Sequence, residues 1–107
     1  METTKKSTFK VLFYLKKNAP KKNGKVTVMC RITVNGKQSA FSTKLDISAT
    51  NWDLKYGRVL GKSREAQDTN SKLDKIRSGI EECYSKILKN EGAVNSDKLK
   101  NAVLGME

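Results

Sequence analysis

The chain reads as a small α+β domain: a three-stranded antiparallel sheet backed on one face by a long C-terminal helix, with a short terminal helix after it. Three observations predict this. Gly24 to Lys44, GKVTVMCRITVNGKQSAFSTK, consists of two alternating β-branched runs around Asn35-Gly36. That dipeptide readily supplies φ > 0 at both centres of a type I′ turn, which specifies a hairpin with a two-residue loop. Before it, TFKVLFYLKK (Thr8 to Lys17) alternates and is rich in aromatic and branched residues, as a first strand should be. After it, from Ser63 to about Asn90, the apolar period becomes helical.

The first strand places Phe9, Val11, Phe13 and Leu15 on one face and Lys10, Leu12, Tyr14 and Lys16 on the other. Asn18 to Asn23 contains the only proline and reads as a loop. The Asn35-Gly36 turn then fixes the hairpin register. Val34 faces Lys37, Ile32 faces Ser39, Cys30 faces Phe41, Val28 faces Thr43 and Val26 faces Leu45, all on one side of the pleat. The opposite side pairs Thr33 with Gln38, Arg31 with Ala40, Met29 with Ser42 and Thr27 with Lys44. One face is apolar and needs a lid. The other offers hydrogen-bond donors, small residues and positive charge, with no carboxylate among them.

Past Lys44, Leu45-Asp46-Ile47 still reads as extended, and Ser48 or Thr50 can cap a short turn carrying Trp52, the sole tryptophan and a core plug. Gly57 and Gly61 bracket a brief extended link. The helical stripe is Ala66, Leu73, Ile76, Ile80, Cys83, Tyr84, Ile87 and Leu88, ending at Gly92. Gly79, inside it, costs about 1 kcal/mol relative to alanine and raises the question of a break. Asn95 or Ser96 caps a short helix from Asp97 to Leu104, with Gly105 as a C-cap. Three strands cannot leave an apolar side wet, and the long helix carries the stripe able to cover it.

Composition narrows the function. At 107 residues there is room for one modest core. No apolar run approaches the ~20 residues of a membrane span, and no signal peptide is evident, so the chain reads as soluble and intracellular. Cys30 and Cys83 fall on apolar faces and read as core thiols. The net charge is +11, and its placement says more than its total. Up to Lys44 there are eleven Lys or Arg against Glu2 alone, while from Leu45 onward eleven face ten acidic residues. The electrostatic footprint therefore lies in the N-terminal half, as a polyanion would require.

Catalytic groups are scarce. The chain has no histidine, the commonest general base and metal ligand. It has no CxxC or HExxH, and Gly57 to Ser63 is one residue short of a G-x-x-x-x-G-K-[ST] phosphate loop. Tyr14, Tyr56 and Tyr84 lack partners that would make a nucleophile. No enzyme, cofactor, metal or small-molecule substrate is expected. What remains is a β-face able to enter the major groove of B-DNA. Arg31 and Gln38, mid-hairpin, are placed to bond bases, with Thr33, Met29 and Ser42 beside them. For Gln38 and Met29 the plain reading, a residue wetting an open face, weighs more. Lys10, Lys16, Lys25, Lys37 and Lys44, with Tyr14, would rim the groove as phosphate contacts.

In order along the chain, FYLKK, GK, RITVNGK, FST, the NWD turn, YGRVLGK, the spaced L…I…I…Y…L helix and NSDKLKNAVLG resemble the N-terminal arm-type DNA-binding domain of tyrosine recombinases. The nearest likeness is to phage-family integrases of conjugative or mobilisable elements from Bacteroides-like bacteria. The resemblance implies a sheet set in the major groove of arm-site double-stranded DNA, contact with other integrase protomers, a catalytic domain beyond Glu107, and a cytoplasmic, nucleoid-associated setting in a bacterial cell. One departure stands out. Such domains often leave strand three with Ser-Thr-Gly-Ile, where this chain has Ser42-Thr43-Lys44-Leu45. The expected organisation is a disordered basic N-terminus over 1–7, the arm-type domain over 8–92, and a short helix and linker over 93–107. Two rivals remain: single-stranded DNA or RNA stacking on Tyr14 and Met29, and a protein-interaction module using the 97–104 helix.

Overall fold

The computed structural model describes residues 8–16 and 24–105; the expectations for 1–7 and for the 18–23 loop lie outside them. The chain is α+β, with strands β1 (Phe9–Leu15), β2 (Lys25–Val34) and β3 (Lys37–Ser48) in an antiparallel sheet of order β1-β2-β3. A 3-10 turn (Ala49–Asn51) leads to a two-stranded ribbon, β4 (Trp52–Asp53) with β5 (Arg58–Val59). Helices α1 (Arg64–Glu91) and α2 (Ser96–Leu104) follow.

The hairpin turn forms as read, with φ of 52° at Asn35 and 84° at Gly36. Asn35 also ties the turn to β1: its side-chain oxygen accepts from the Thr8 N–H and its own N–H donates to the Thr8 carbonyl. From Val34–Lys37 down to Met29–Ser42 the register agrees with the sequence reading. Beyond that it shifts. Thr27 faces Asp46 and Val26 faces Ile47, not Lys44 and Leu45, because a bulge on β3 takes up two extra residues. The Ser-Thr-Lys sequence makes this bulge possible. Ser42 Oγ accepts from the Lys44 N–H, while Thr43 Oγ1 accepts from the Leu45 N–H and donates to the Val28 carbonyl. Lys44 sits at its apex with φ 64°, the left-handed region that glycine occupies without strain.

An insertion of two residues preserves the alternation, so Val26 and Ile47 still meet in the core. The core joins Phe13, Val28, Cys30 and Ile32 of the sheet to Leu73 and Ile80 of α1, and Trp52 plugs its end. α1 is unbroken through Gly79, capped by Ser63 at its start and by left-handed Gly92 at its end. It reaches the sheet through side chains. Tyr84 stacks on Phe9, with ring centroids 4.1 Å apart, and Arg77 donates to the Val11 carbonyl at the outer edge of β1.

The long helix does not cover the sheet alone. α2 approaches β2 and β3 more closely than α1 does, and Leu99 is fully buried. Ser39 of β3 donates to the Asp97 carboxylate at 2.5 Å, with the Ser96 hydroxyl 3.1 Å away. The Leu99 side of α2 is therefore packed within the molecule. One further detail differs from the sequence reading: Ser48 makes no side-chain cap and bonds Thr50 instead; Gly105 is the C-cap of α2, in a right-handed conformation.

The β4–β5 ribbon is clamped to α1 by Asn70, whose amide accepts from the Val59 N–H (2.8 Å) and donates to the Val59 carbonyl (3.0 Å). Asn70→Ala leaves both groups of a buried residue unpaired and is expected to cost about 2 kcal/mol, measured as a lowered urea midpoint at constant m. Burial pushes the Cys30 thiol up from 9.0 to about 12, a shift that Arg77 partly offsets. A raised acid pKa leaves the fold unaffected by this group below pH 9 and destabilises it as pH climbs from 9 toward 12. Cys30→Val is accordingly expected to flatten part of the alkaline fall in stability across that window, read by urea melts in a pH series.

Candidate nucleic-acid interface

Strand alternation turns Lys25, Thr27, Met29, Arg31 and Thr33 of β2 away from the helices. Pairing with β1 and β3 arranges this side in cross-strand rows: Lys10–Thr33–Gln38, Leu12–Arg31–Ala40 and Tyr14–Met29–Ser42. A fourth row follows, in which the Lys16 N–H bonds the Thr27 carbonyl and Thr27 faces Asp46. No helix covers these rows; Lys10, Lys16, Gln38 and Ser42 are exposed.

Arg31 lies near the centre. Its guanidinium carbon is 4.7 Å from the centroid of the Tyr14 ring, a diagonal neighbour on β1. Among the described residues the Arg31 side chain has no ion-pair or hydrogen-bond partner. The stack restricts its rotamers while leaving the N–H fork unspent, which suits bidentate recognition of a planar acceptor pair. Tyr14 therefore supports Arg31. It is also a poor open platform for a base, because its ring face already carries a guanidinium.

The open side also carries one carboxylate beyond the rows that the sequence reading counted, and the register shift sets it opposite Thr27. Asp46 stands beside Thr27, whose hydroxyl donates to it at 2.8 Å. It lies at the end of the sheet away from the hairpin turn. The ion pairs Arg58–Asp74, Lys72–Asp68 and Lys98–Glu91 draw their acids from α1, and none of the three rows nearest the hairpin turn contains an acid.

Nine of the eleven residues expected to form the site share this face: Arg31, Gln38, Thr33, Met29, Ser42, Lys10, Tyr14, Lys16 and Lys25. Lys37 does not. It pairs with buried Val34 and belongs to the helix side of the pleat, exposed at the hairpin tip. Lys44 does not either, since the bulge moves it to the outer margin of β3, beside a groove lined by α1 and α2. The sequence reading missed the Arg31–Tyr14 contact: it placed both residues on the basic face, but the β1–β2 register that makes them diagonal neighbours comes from the structure.

Among the described residues no group of three or more His, Cys, Asp or Glu is placed to hold a metal, and no helix is long and apolar enough to cross a membrane. No curated protein and no solved structure matches the chain. The family model described as the arm DNA-binding domain matches residues 13–100, from the buried Phe13 of β1 through the middle of α2. The match takes in both strands of the hairpin, the ribbon and the long helix, and with it the chain belongs to the arm DNA-binding domain family, a non-catalytic DNA-binding module.

Proposed function

We propose that the open face of the β1–β2–β3 sheet enters the major groove of arm-type double-stranded DNA, docking a tyrosine recombinase of the phage-integrase kind on its accessory sites. The observation that carries this reading is Arg31: central, stacked on Tyr14, unpaired, and set in rows whose only acid is distal Asp46. Three strands span about 10 Å between outer backbones, which suits a major groove about 12 Å wide. Arg31 pairs bidentately with a guanine edge, while Gln38, Thr33 and Ser42 reach flanking base edges and Met29 gives apolar contact. Lys10, Lys16 and Lys25 meet phosphates along the rim, and Lys37 meets one from the hairpin tip.

On this reading the module orients its parent on DNA in a bacterial cell, catalysis and protomer contacts belonging to the rest of that protein. A single-strand platform is less well supported, because the aromatic ring on this face is occupied by Arg31. Competition between duplex and single-stranded oligonucleotides tests this directly; preference for the single strand refutes major-groove docking.

Arg31→Ala is expected to cost about 1–3 kcal/mol and to relax discrimination at one base position. Tyr14→Leu should produce a smaller loss at the same position, since Arg31 loses its support but keeps its fork. Equal losses on target and scrambled duplexes would remove Arg31 as a base reader. Replacing Lys10 or Lys16 by glutamine is expected to weaken binding to every sequence alike and to reduce the slope of log K against log salt by about 1 each, as measured by fluorescence anisotropy across a salt series.

A further inference from the structure

Two residues bordering one groove break local rules in opposite directions. Lys44 occupies a φ of 64°, a conformation that glycine adopts without strain. Gly79 stands inside the 28-residue α1, where alanine is the better residue. The fold's own packing does not call for that glycine: a Cβ built there meets nothing within 4 Å. A lysine where glycine is easier and a glycine where alanine is easier face the same space, and such exceptions concentrate at functional sites.

That space is a groove of about 650 Å³ between β3, α1 and α2. Phe41, Ile76 and Leu104 give it an apolar lining, Gly79 leaves it open, and the only charged residues lining it are Lys44 and Lys75. It lies at the margin of the open sheet face, sharing Ser42 with it. An apolar hollow with two ammonium groups and no acid is a poor fit for a phosphate backbone, which offers charge without grease. It complements a chain that offers both.

We propose that this groove docks an acidic, apolar segment of a partner protein. An aliphatic or aromatic side chain of the segment fills the space over Gly79, and flanking carboxylates meet Lys44 and Lys75. The occupant sits beside the DNA-facing side without covering Arg31, so the site is independent of the function proposed above.

The test is to pan displayed random short peptides against the full 107-residue chain, then measure the enriched peptides by calorimetry. Enrichment of Asp/Glu with Leu, Ile or Phe is expected, with amide shifts at Ser42, Lys44 and Gly79 on titration. Gly79→Leu, which fills the hollow, and Lys75→Glu, an exposed surface change, are each expected to weaken the enriched peptide about tenfold or more. Both variants should keep a cooperative melt, and Gly79→Leu should keep DNA affinity. Absence of enrichment, basic or uncharged winners, or binding that survives in both variants overturns the proposal. So does self-association in sedimentation that Gly79→Leu abolishes, which would make a second copy the occupant. Saturable binding of decanoate in the groove with no peptide bound would make it a small-molecule site instead.

Discussion

The pleat is the constraint on which this molecule depends. Successive residues of a strand must point to opposite sides, so a chain that buries Val26, Val28, Cys30, Ile32 and Val34 has no choice but to show Lys25, Thr27, Met29, Arg31 and Thr33 on the other side. Hydrophobic burial beneath the helices and cationic display above them are therefore one event. The helices hold the lower face through Leu73, Ile80 and Leu99, all nearly inaccessible to solvent, and the upper face inherits its geometry from that packing without any stabilising contact to a lid.

The same parity explains why the β3 bulge is tolerated. One inserted residue would turn Ile47 outward and Asp46 into the core, stranding a carboxylate among apolar side chains. Two inserted residues leave both on their proper sides. The backbone groups freed by the irregularity are satisfied by Ser42 and Thr43, so the local penalty falls mainly on Lys44 with its positive φ. The fold keeps its core and accepts strain at one exposed position.

The turn, the register down to Ser42, the partition of the two faces and the extent of α1 were legible because each rests on local chemistry: Asn-Gly geometry, alternation, helical period, and capping by Ser63 and Gly92. The bulge was not, since Lys44 gives no sign in sequence of a left-handed backbone; only the likeness to a pattern with glycine there marked the position. As a consequence Asp46, rather than Lys44, stands opposite Thr27. The docking of α2 was also hidden, because it includes a polar contact, Ser39 with Asp97, across a separation no periodicity reports. Nor does the sequence mark Asn70, whose amide substitutes for a strand partner of Val59.

A bare sheet face with two unpaired edges would ordinarily invite other strands, and the edges are managed differently. At β1, Arg77 reaches from α1 to take the Val11 carbonyl while its guanidinium lies 5.4 Å from the Phe13 ring centroid. At β3 the bulge and its side-chain hydrogen bonds break the regular row of donors and acceptors that a new strand would need. Extension of the sheet is thereby disfavoured at both sides, while its surface stays open. A partner must then approach face-on, meeting Arg31 and its lysine rim before any backbone. That restriction favours a convex or grooved polyanion over another strand, and it follows from how the edges are closed as much as from the charge displayed between them.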